Sequence, residues 1–297
     1  MRKPWLFFCL SILFAFPVIA QEANEVSSMC QKISQKLHSV NYNDCLSLNY
    51  SAYSKHSTAG WPLLLKEYKG AENKNVPKIL FIGGIHGDEY SSVSSTFKWL
   101  KVLEQHHTGK FHWLFMPLAN PDGLLRKTPQ RMNAMDVDLN RNFPPFGENS
   151  AASIMYWKNK AGKDPRRFPG IEPLSEPETQ AIVEIIDDFQ PNVIVSVHAP
   201  YDLLDFDGEN AYVAPKKMGP LELQQLGTYP GSLGNYAWLK LNIPVITLEL
   251  PKADIMPNDN ELDAIWMDLI GWLKNDLPKT RLASSAKPIK EATLMKN

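Results

Sequence analysis

The amino-acid sequence predicts an α/β fold with a mixed, mostly parallel sheet and helices on both faces of that sheet. Short apolar and β-branched runs alternate with segments of helical periodicity along most of the chain. No internal repeat interrupts this alternation, and polar residues follow several of the apolar runs. In open sheets of this class, functional groups collect where the parallel strands end. A functional site is therefore expected at that edge of the sheet.

The chain is long and apolar enough to bury a substantial core. It has 297 residues, 44% of them hydrophobic, and a formal net charge of −1. A chain of this length folds as one large α/β domain or as two small ones. Because the charge is balanced and no long basic run interrupts the globular part, we expect no nucleic-acid partner.

Residues 1–20 are predicted to be a secretory signal peptide. Arg2 and Lys3 form a charged start, residues 5–16 are largely apolar, and Val18-Ile19-Ala20 fits the small-residue cleavage rule. We expect cleavage after this tripeptide and a periplasmic or secreted mature protein. The apolar stretch is short for a membrane span, so no stable span is expected after processing. A retained membrane anchor is the alternative interpretation.

Cysteine usage agrees with export, because Cys9 would leave with the signal peptide and two cysteines would remain. An even pair in an exported protein, Cys30 and Cys45, predicts a disulfide. By chain entropy, closing a loop of about 15 residues stabilises the fold by about 3 kcal/mol. The alternative is two free thiols, and the sequence contains no C-x-x-C redox motif.

Local signals predict where the elements begin and end. Ser175 and Glu178 form a capping box that starts a helix, and Asn120-Pro121-Asp122-Gly123 is predicted to be a turn. The predicted helices cover residues 25–37, 89–105, 175–189 and 261–274. The predicted strands cover residues 61–68, 78–83, 111–117, 192–197 and 245–250.

The stretch Gly83-Gly84-Ile85-His86-Gly87-Asp88-Glu89 follows one predicted strand and precedes a predicted helix. Its two leading glycines allow a tight turn at the strand end. His86 and Glu89 lie three residues apart, so an imidazole nitrogen and a carboxylate oxygen can converge on one point. Zinc takes such ligands at about 2.0–2.2 Å and keeps one position open in catalytic sites. Taken alone, the same spacing also fits an ordinary polar loop.

Two further polar residues accompany apolar runs. His198 directly follows the β-branched run 193–197, and Glu249 lies within the run Val245 to Leu250. A carboxylate in an apolar strand costs desolvation free energy unless another group pairs with it or uses it. A histidine at the rim of the sheet with its hydrogen bonds satisfied is the alternative interpretation for His198.

A polar segment contains Arg131-Met132-Asn133 and then Asp138-Leu139-Asn140-Arg141-Asn142-Phe143. Two arginines and several amides in a loop can form a fork that binds a carboxylate. The alternative is a solvated polar loop.

These motifs, in this order, resemble the zinc carboxypeptidase family over roughly residues 78–251. The residues that carry the resemblance are Gly84 to Glu89, Asn120 to Gly123, Asp138 to Phe143, His198, and Thr247-Leu248-Glu249. Within the family, Leu203 to Gly208 and Tyr229 to Gly234 resemble the murein peptide amidases. That branch cuts the γ-D-glutamyl–diaminopimelate bond of peptidoglycan peptides.

The resemblance implies a zinc-dependent hydrolase with one Zn²⁺ per chain and a peptidoglycan-derived peptide as substrate. His86, Glu89 and His198 are the implied zinc ligands. Glu249 is implied to take a proton from the attacking water and to deliver it to the leaving amine.

The polar segment receives its roles from the same resemblance. Arg131 is implied to stabilise the tetrahedral oxyanion. Asn140 and Arg141 are implied to bind the terminal carboxylate of the substrate. Asp138 is implied to orient the first zinc histidine.

The resemblance also has gaps. The mobile tyrosine of the family has no clear counterpart, because Tyr236 lies one position off when Ser232 is the anchor, and we leave Tyr236 out of the catalytic set. Asp205 or Asp207 is expected either to meet the ammonium group of diaminopimelate or to be a turn carboxylate. The Ala199–Pro200 bond is expected to be cis, as the family places a cis peptide just after its third zinc ligand.

The catalytic domain is predicted to cover residues 21–278. Residues 279–297 carry five basic side chains against one acidic side chain and are predicted to be a flexible basic tail.

Three other functions fit parts of the sequence. A peptidoglycan or general carboxypeptidase would remove a C-terminal residue with the same chemistry. An N-acyl amino-acid deacylase shares H-x-x-E and a D-L-N-R stretch, but such enzymes carry a further C-terminal β domain, which we do not expect here. A zinc-free binding module would lose a ligand or the catalytic carboxylate, whereas all four candidates are present.

Overall fold

The protein is described by a computed structural model that covers residues 15–72, 74–147, 149–208 and 214–277. The strands of these residues are β1 Ser51–His56, β2 Pro62–Tyr68, β3 Lys78–Ile82, β4 His112–Met116, β5 Val193–His198, β6 Leu203–Asp207, β7 Lys217–Met218, β8 Leu221–Glu222 and β9 Val245–Glu249. The α-helices are α1 Ala15–Lys36, α2 Tyr42–Ser47, α3 Tyr90–His106, α4 Pro121–Leu125, α5 Ala152–Asn159, α6 Pro177–Phe189 and α7 Asp259–Asn275. Short 3₁₀ turns cover Leu139–Arg141 and Pro165–Arg167, and a π-helix covers Asn235–Lys240.

A seven-stranded mixed sheet with the order β1-β2-β4-β3-β5-β9-β6 forms the centre of the fold. The four central strands β4, β3, β5 and β9 run parallel to one another. The antiparallel strands β2 and β1 extend one side, and β6 pairs antiparallel with β9 on the other. The register places His198 opposite Glu249. Two of the predicted site residues thus lie side by side at the carboxyl ends of neighbouring strands.

The central strands are apolar on both faces, and for this reason they form continuous hydrophobic runs in the sequence. Along β3, Ile79 and Phe81 pack in one core cluster with α1, α3 and α7. Leu80 and Ile82 point to the opposite face and pack with α6. Burying a side chain of this size stabilises the fold by about 1.5–3 kcal/mol. The predicted fold class, with helices on both faces of the sheet, is confirmed.

The N-terminal helices are joined covalently. Cys30 on α1 and Cys45 on α2 form the predicted disulfide, and both side chains are buried. Disulfides persist in oxidising compartments, so this bond favours a periplasmic or extracellular location. No helix of the described residues has both the length and the apolar character that spanning a bilayer requires.

The predicted signal peptide and basic tail remain untested. Residues 1–14 and 278–297 lie outside the described residues, and the signal peptide, its cleavage site and the tail stay predictions. The helix predicted over 25–37 begins earlier, at Ala15, and ends at Lys36.

Two of the predicted local features are wrong. Ser175 does not cap α6, because Glu176 is the N-cap residue and Ser175 Oγ instead donates to the Glu176 carboxylate at 2.7 Å. Asn142 Nδ2 donates to the same hydroxyl at 2.9 Å, so a tertiary contact replaces the local cap. The predicted turn after β4 is the first turn of α4, with Asn120 as its N-cap.

Candidate metal centre and active-site cavity

The turn after β3 positions the first two candidate ligands. Gly84 has a φ of +63°, and a Cβ there would lie 2.7 Å from a Val93 methyl group and 2.9 Å from Leu118. Only glycine fits both the left-handed backbone and this close packing. The turn brings His86 to the end of the sheet and places Glu89 at the N-cap of α3, where its side chain makes no capping hydrogen bond. The Glu89 carboxylate is therefore free to face His86.

Three side chains converge at this edge. His86 Nδ1 lies 2.7 Å from Glu89 Oε1, and His198 Nδ1 lies 3.1 Å from Glu89 Oε2. The two Nδ1 atoms are 3.1 Å apart. All three residues are buried, and each offers a ligand atom within 4.8 Å of the others. The predicted ligand set is therefore brought together by the fold.

The donor set fits a zinc ion. Ligands at about 2.0–2.1 Å in tetrahedral geometry lie roughly 3.3 Å from one another, close to the spacings of these donor atoms. Burial opposes ionisation of Glu89, but the His86 and His198 imidazoles hold the pKa of this carboxyl well below its usual range. Two imidazoles, one carboxylate and an open side facing a cavity are typical of catalytic zinc sites.

Neighbouring groups fix the orientation of both imidazoles. Asp138 Oδ1 lies 3.2 Å from His86 Nε2, and Asp138 Oδ2 accepts a hydrogen bond of 3.0 Å from Arg131 Nε. Burial opposes the charge on Asp138, yet Arg131 and His86 hold its pKa well below the usual range. Ser196 Oγ lies 2.9 Å from His198 Nε2. In both imidazoles, Nε2 is bound by a neighbouring polar group and Nδ1 faces the other members of the triad. This is the arrangement that metal-binding histidines require.

Ser196 was not predicted from the sequence. The sequence does contain a sign of its position, because Ser196 lies two residues before His198 on the same strand and its side chain therefore points to the same face of the sheet. Immediately after His198, the Ala199–Pro200 bond is cis, as predicted.

Glu249 ends β9 beside the triad. Its side chain is buried, and Oε2 has no hydrogen-bond partner within the described part of the chain. Burial raises the pKa of Glu249, and the Glu89 charge adds to this while His198 and His86 oppose it. A carboxylate with a raised pKa and a free oxygen can accept a proton and return it. Buried polar atoms usually have a hydrogen-bond partner. The unpaired Glu249 oxygen therefore indicates that this site is built to receive a group that is not part of the protein chain.

A cavity of about 190 Å³ opens beside these residues. It is lined by His86, Glu89, Arg131, Asn140, Arg141, Asp164, Arg166, Arg167, Ser196, His198, Tyr201, Asp205, Asp207, Leu226, Gly227, Tyr229, Ser232, Leu233, Gly234, Val245, Thr247 and Glu249. Seven of the eight predicted site residues are in this set, and Asp138 lies behind His86.

Arg131 lies next to the ligand triad. Its Nη1 is 3.1 Å from His86 Nδ1 and 3.6 Å from Glu89 Oε1. Burial disfavours the charge, but Asp138 and Glu89 outweigh it and raise the pKa of Arg131. A permanent cation at this place can stabilise negative charge on an oxygen that reacts beside the triad.

One wall of the cavity is cationic. Arg141 lies with its guanidinium 4.9 Å from the centre of the Tyr229 ring and donates to the Asn140 carbonyl at 2.5 Å. Asn140 is fixed by hydrogen bonds from Leu233 N at 2.8 Å and to Asp138 at 3.0 Å. No ion pair between described residues includes Arg141. The guanidinium is therefore oriented without being neutralised.

A second part of the cavity lining is anionic. Asp205 and Asp207 both lie on β6 and line the cavity, so their interpretation as turn carboxylates is wrong. Asp205 accepts a hydrogen bond of 3.0 Å from Leu226 N. Burial, with the neighbouring Asp205 charge, raises the pKa of Asp207 to about 7. A Cβ at Gly234 would lie 1.8 Å from Asp207 Oδ2, so the absence of a side chain at Gly234 makes room for this carboxylate.

The tyrosines differ from the family pattern as the sequence indicated. Tyr236 is buried in the π-helix, stacks on Phe143 with a ring-centroid distance of 6.0 Å, and does not line the cavity. Tyr201 and Tyr229 line it instead. Neither was predicted, because neither lies at the position that the family motif specifies.

Arg166 and Arg167 were also missed. They lie on the 3₁₀ turn Pro165–Arg167, and Arg166 pairs with Asp88 at 2.8 Å. The segment between Phe143 and Ser175 carries no motif, so only the folded chain brings these arginines to the cavity.

Known sequences resemble this chain in the same region. The profile described as zinc carboxypeptidase matches residues 48–215. Murein peptide amidase A of Escherichia coli strain K12 is 33% identical over 181 residues, covering 58% of this chain and 70% of that protein. Murein peptide amidase A of Vibrio campbellii is 30% identical over 206 residues, covering 68% of this chain and 79% of that protein.

Solved structures agree. The crystal structure of murein-tripeptide amidase MpaA from Escherichia coli O157 matches with a TM-score of 0.52 and 30% identity, covering 76% of this chain and 90% of that one. Bovine thrombin-activatable fibrinolysis inhibitor matches with a TM-score of 0.58 at 16% identity, covering 88% and 97%, a likeness of fold alone. With the His-Glu-His triad at the ends of parallel strands, these matches establish that the chain belongs to the zinc carboxypeptidase family and is a hydrolase.

Proposed function

We propose that this protein is a zinc-dependent amidase that hydrolyses the γ-D-glutamyl–diaminopimelate bond of peptidoglycan peptides. The observation that carries this proposal is the pair of oppositely charged walls beside the metal-ligand triad. Arg141 offers a fork for a carboxylate, and Asp205 and Asp207 offer carboxylates to an ammonium group. Diaminopimelate presents both kinds of group, since it carries a carboxylate next to the scissile amide and a second amino-acid centre on its side chain.

His86, Glu89 and His198 would hold one zinc ion per chain. When bound there, zinc supplies Lewis-acid polarisation of the scissile carbonyl and lowers the pKa of water. The remaining steps belong to side chains of this protein. Glu249 Oε2, which has no partner within the described residues, receives the proton of the attacking water and passes it to the leaving amine nitrogen.

Arg131 acts where negative charge develops. Its guanidinium, held by Asp138 at 3.0 Å, is preorganised beside the triad and stabilises the oxyanion of the tetrahedral intermediate. Because Asp138 bridges Arg131 and His86, one buried carboxylate orients both a cation for the oxyanion and a candidate metal ligand. Because Asp138 and His86 are buried, the electrostatic interactions between these groups are stronger than they would be in water.

Arg141 and Asn140 bind the carboxylate of diaminopimelate that adjoins the scissile amide. A guanidinium presents two parallel donors, and each charge-assisted hydrogen bond is worth about 1.5–3 kcal/mol. The ammonium group on the diaminopimelate side chain meets Asp205 and Asp207. The names of the relatives, murein peptide amidase A and murein-tripeptide amidase, support this substrate class.

Digestion of defined muropeptides tests the proposal. Incubation of the zinc-loaded protein with L-Ala-γ-D-Glu-diaminopimelate should give L-Ala-D-Glu and free diaminopimelate, read by mass spectrometry. Glu249→Gln is the matched control and should leave the tripeptide intact. If the tripeptide survives while ordinary L-peptides lose their C-terminal residues, the protein is a general carboxypeptidase. Loss of only the terminal residue from a tetrapeptide would instead make it a peptidoglycan carboxypeptidase.

We also propose that the protein acts in the periplasm or outside the cell. The disulfide and the charged, apolar and small-residue regions of residues 1–20 support export. Mass spectrometry of the protein from the periplasmic fraction should give a mature chain that begins at Gln21. A chain that retains residues 1–20 in the membrane fraction would contradict cleavage.

A further inference from the structure

Two buried carboxylates lie behind the cavity and take no part in the proposed chemistry. Glu176 and Glu178, at the start of α6, are buried and do not line the cavity. They lie against segment 131–142, which carries Arg131, Asp138, Asn140 and Arg141. No cation forms an ion pair with either glutamate among the described residues.

The two glutamates share the same two partners. Asn133 Nδ2 lies 2.6 Å from Glu176 Oε2 and 3.2 Å from Glu178 Oε2. Thr58 Oγ1 lies 3.3 Å from the same Glu176 oxygen and 3.2 Å from the same Glu178 oxygen. Two carboxyl oxygens therefore meet at one amide and one hydroxyl.

Asn133 connects this pair to the substrate-binding segment. While its Nδ2 donates to the glutamates, its Oδ1 accepts from Met135 N and Val137 N, both at 3.1 Å. The amide thus fixes the turn between Arg131 and Asp138.

The far end of the segment is attached to the same helix start. Asn142 Oδ1 accepts from Glu176 N at 3.2 Å and from Thr179 Oγ1 at 2.5 Å. Its Nδ2 donates to Ser175 Oγ, which in turn donates to Glu176. Asn133 and Asn142 are both fully buried and bracket Asp138, Asn140 and Arg141.

The surroundings favour the protonated form of Glu178. Burial raises the pKa of Glu178 to about 7, and Asp122 on α4 adds to this while Thr58 N and Asn133 oppose it. Two basic side chains that contact this region are engaged elsewhere, since Lys55 pairs with Glu184 and Arg126 binds Asp136 and the Asn133 carbonyl. Two charges at the shared partners would repel each other without a compensating cation.

We propose that Glu176 and Glu178, which share Asn133 and Thr58 as hydrogen-bond partners, are positioning residues that clamp segment 131–142 and so set the place of Arg141 for substrate binding. Loss of the Glu178 proton adds a negative charge at Asn133 and loosens the segment. Substrate binding then weakens, so KM rises while kcat changes less. The inference rests on the proposed function only in that Arg141 binds a substrate carboxylate.

The decisive comparison is wild type against Glu178→Gln, whose neutral amide imitates the protonated glutamate. Asp188→Asn, at an exposed position on the same helix, is the matched control. We expect the KM ratio of wild type to Glu178→Gln to rise roughly fivefold between about pH 6 and pH 8.5, with its midpoint near the raised pKa of about 7. Titrations of the metal site and of Asp207 are common to both proteins and cancel in the ratio. A ratio that stays constant with pH overturns the proposal.

Thermal unfolding separates this proposal from the assignment of the substrate. The folded-state pKa of Glu178 is raised, so its contribution to stability is full below its ordinary value of 4.5 and is lost as the pH rises through about 7. The stability of wild type relative to Glu178→Gln should therefore fall over that range, whether or not the tripeptide is cleaved. Parallel stability curves would show that Glu178 does not titrate in the folded protein and would overturn the proposal, whereas an uncleaved tripeptide alone would remove only the proposed substrate.

A second variant keeps the test open if Glu178→Gln does not fold. Thr58→Ala removes a hydroxyl that lies within hydrogen-bond distance of both glutamates, and the loss of this donor disfavours the ionised form of Glu178 and raises its pKa further. The KM increase should then shift to higher pH in Thr58→Ala. An unshifted increase contradicts the clamp.

Discussion

The metal-ligand triad and the charged walls of the cavity are built in different ways. His86 and Glu89 follow β3 through a glycine turn, and His198 ends β5, so two short segments at adjacent parallel strands fix the three ligands. The cationic wall belongs to the irregular segment 131–142, and the anionic wall belongs to the antiparallel edge strand β6. The positions of both walls depend on contacts with residues that are distant in the chain. Asn133 and Asn142 anchor the cationic wall, and pairing with β9 positions the anionic one.

This difference separates two properties of the enzyme. In the proposed mechanism, the triad and Glu249 determine whether an amide is hydrolysed at all, and the walls determine which peptide is held for long enough to react. Substitutions at the triad should therefore abolish chemistry on every substrate. Substitutions in the walls should change KM and selectivity while the metal stays bound.

The largest effect is expected at the triad. His198→Ala removes one of three candidate ligands and should abolish tight zinc binding together with activity. Metal analysis of the purified variant measures the first effect, and muropeptide digestion measures the second. Undiminished zinc in this variant would remove His198 from the ligand set.

Glu249→Gln should retain zinc and lose turnover by roughly two to four orders of magnitude, because the amide cannot carry the proton to the leaving amine. Zinc content and kcat measured on one preparation distinguish this result from loss of the metal. Near-normal kcat would show that another group moves the proton.

On the cationic wall, Arg141→Lys should lower kcat/KM for the tripeptide by roughly ten- to a hundredfold with zinc content unchanged. An ammonium group keeps the charge but lacks the two parallel donors of the guanidinium. Because Arg141 donates to the Asn140 carbonyl, circular dichroism should accompany the kinetics as a check on folding. Equal kcat/KM in both proteins would remove Arg141 from substrate binding.

The same contrast explains how much the sequence could predict. The triad lies within short motifs at strand ends, and the resemblance of those motifs to the zinc carboxypeptidase family was sufficient to predict His86, Glu89 and His198 as one ligand set. The buried strands were recognisable because both faces are apolar, and their predicted bounds differ from the structure by only one or two residues. Glu249 was recognisable as a carboxylate in an apolar run.

The rest depends on contacts between segments that are distant in the chain. Arg166, Arg167 and Tyr201 reach the cavity only through the folded path of the chain, and no local pattern marks them. At Ser175 a tertiary contact replaces a local one: its hydroxyl accepts a hydrogen bond from Asn142 in place of capping the helix, as the local sequence had predicted. Strand β6 was not predicted as a strand because its Asp205 and Asp207 suggested a turn.

The anionic wall gives a smaller, pH-dependent effect. Asp207 has a pKa raised to about 7 by burial and by Asp205, so it is charged mainly above neutral pH. The ratio of KM for Asp207→Asn to KM for wild type should lie near 1 at about pH 5.5 and rise roughly tenfold by about pH 8.5. A peptide with norleucine in place of diaminopimelate is the control, because it lacks the ammonium group and should show no such rise. The same increase for both peptides would mean that Asp207 does not meet the ammonium.

The smallest effect concerns stability, and it runs in the opposite direction to function. Because the folded-state pKa of Asp207 lies above its ordinary value of 3.8, its contribution to stability is full below that value and is lost as the pH rises through about 7. Above neutral pH the unliganded protein therefore holds a carboxylate in a poorly solvated wall at a cost in free energy. Asp207→Asn should raise Tm at about pH 8 by roughly 2–4 °C and leave it nearly unchanged at about pH 4. Saturating diaminopimelate should raise Tm more in wild type than in the variant, since the ligand ammonium compensates the charge only when the aspartate is present. A variant that is less stable at pH 8 would show that Asp207 is held by the fold itself and that its charge is not kept for a ligand.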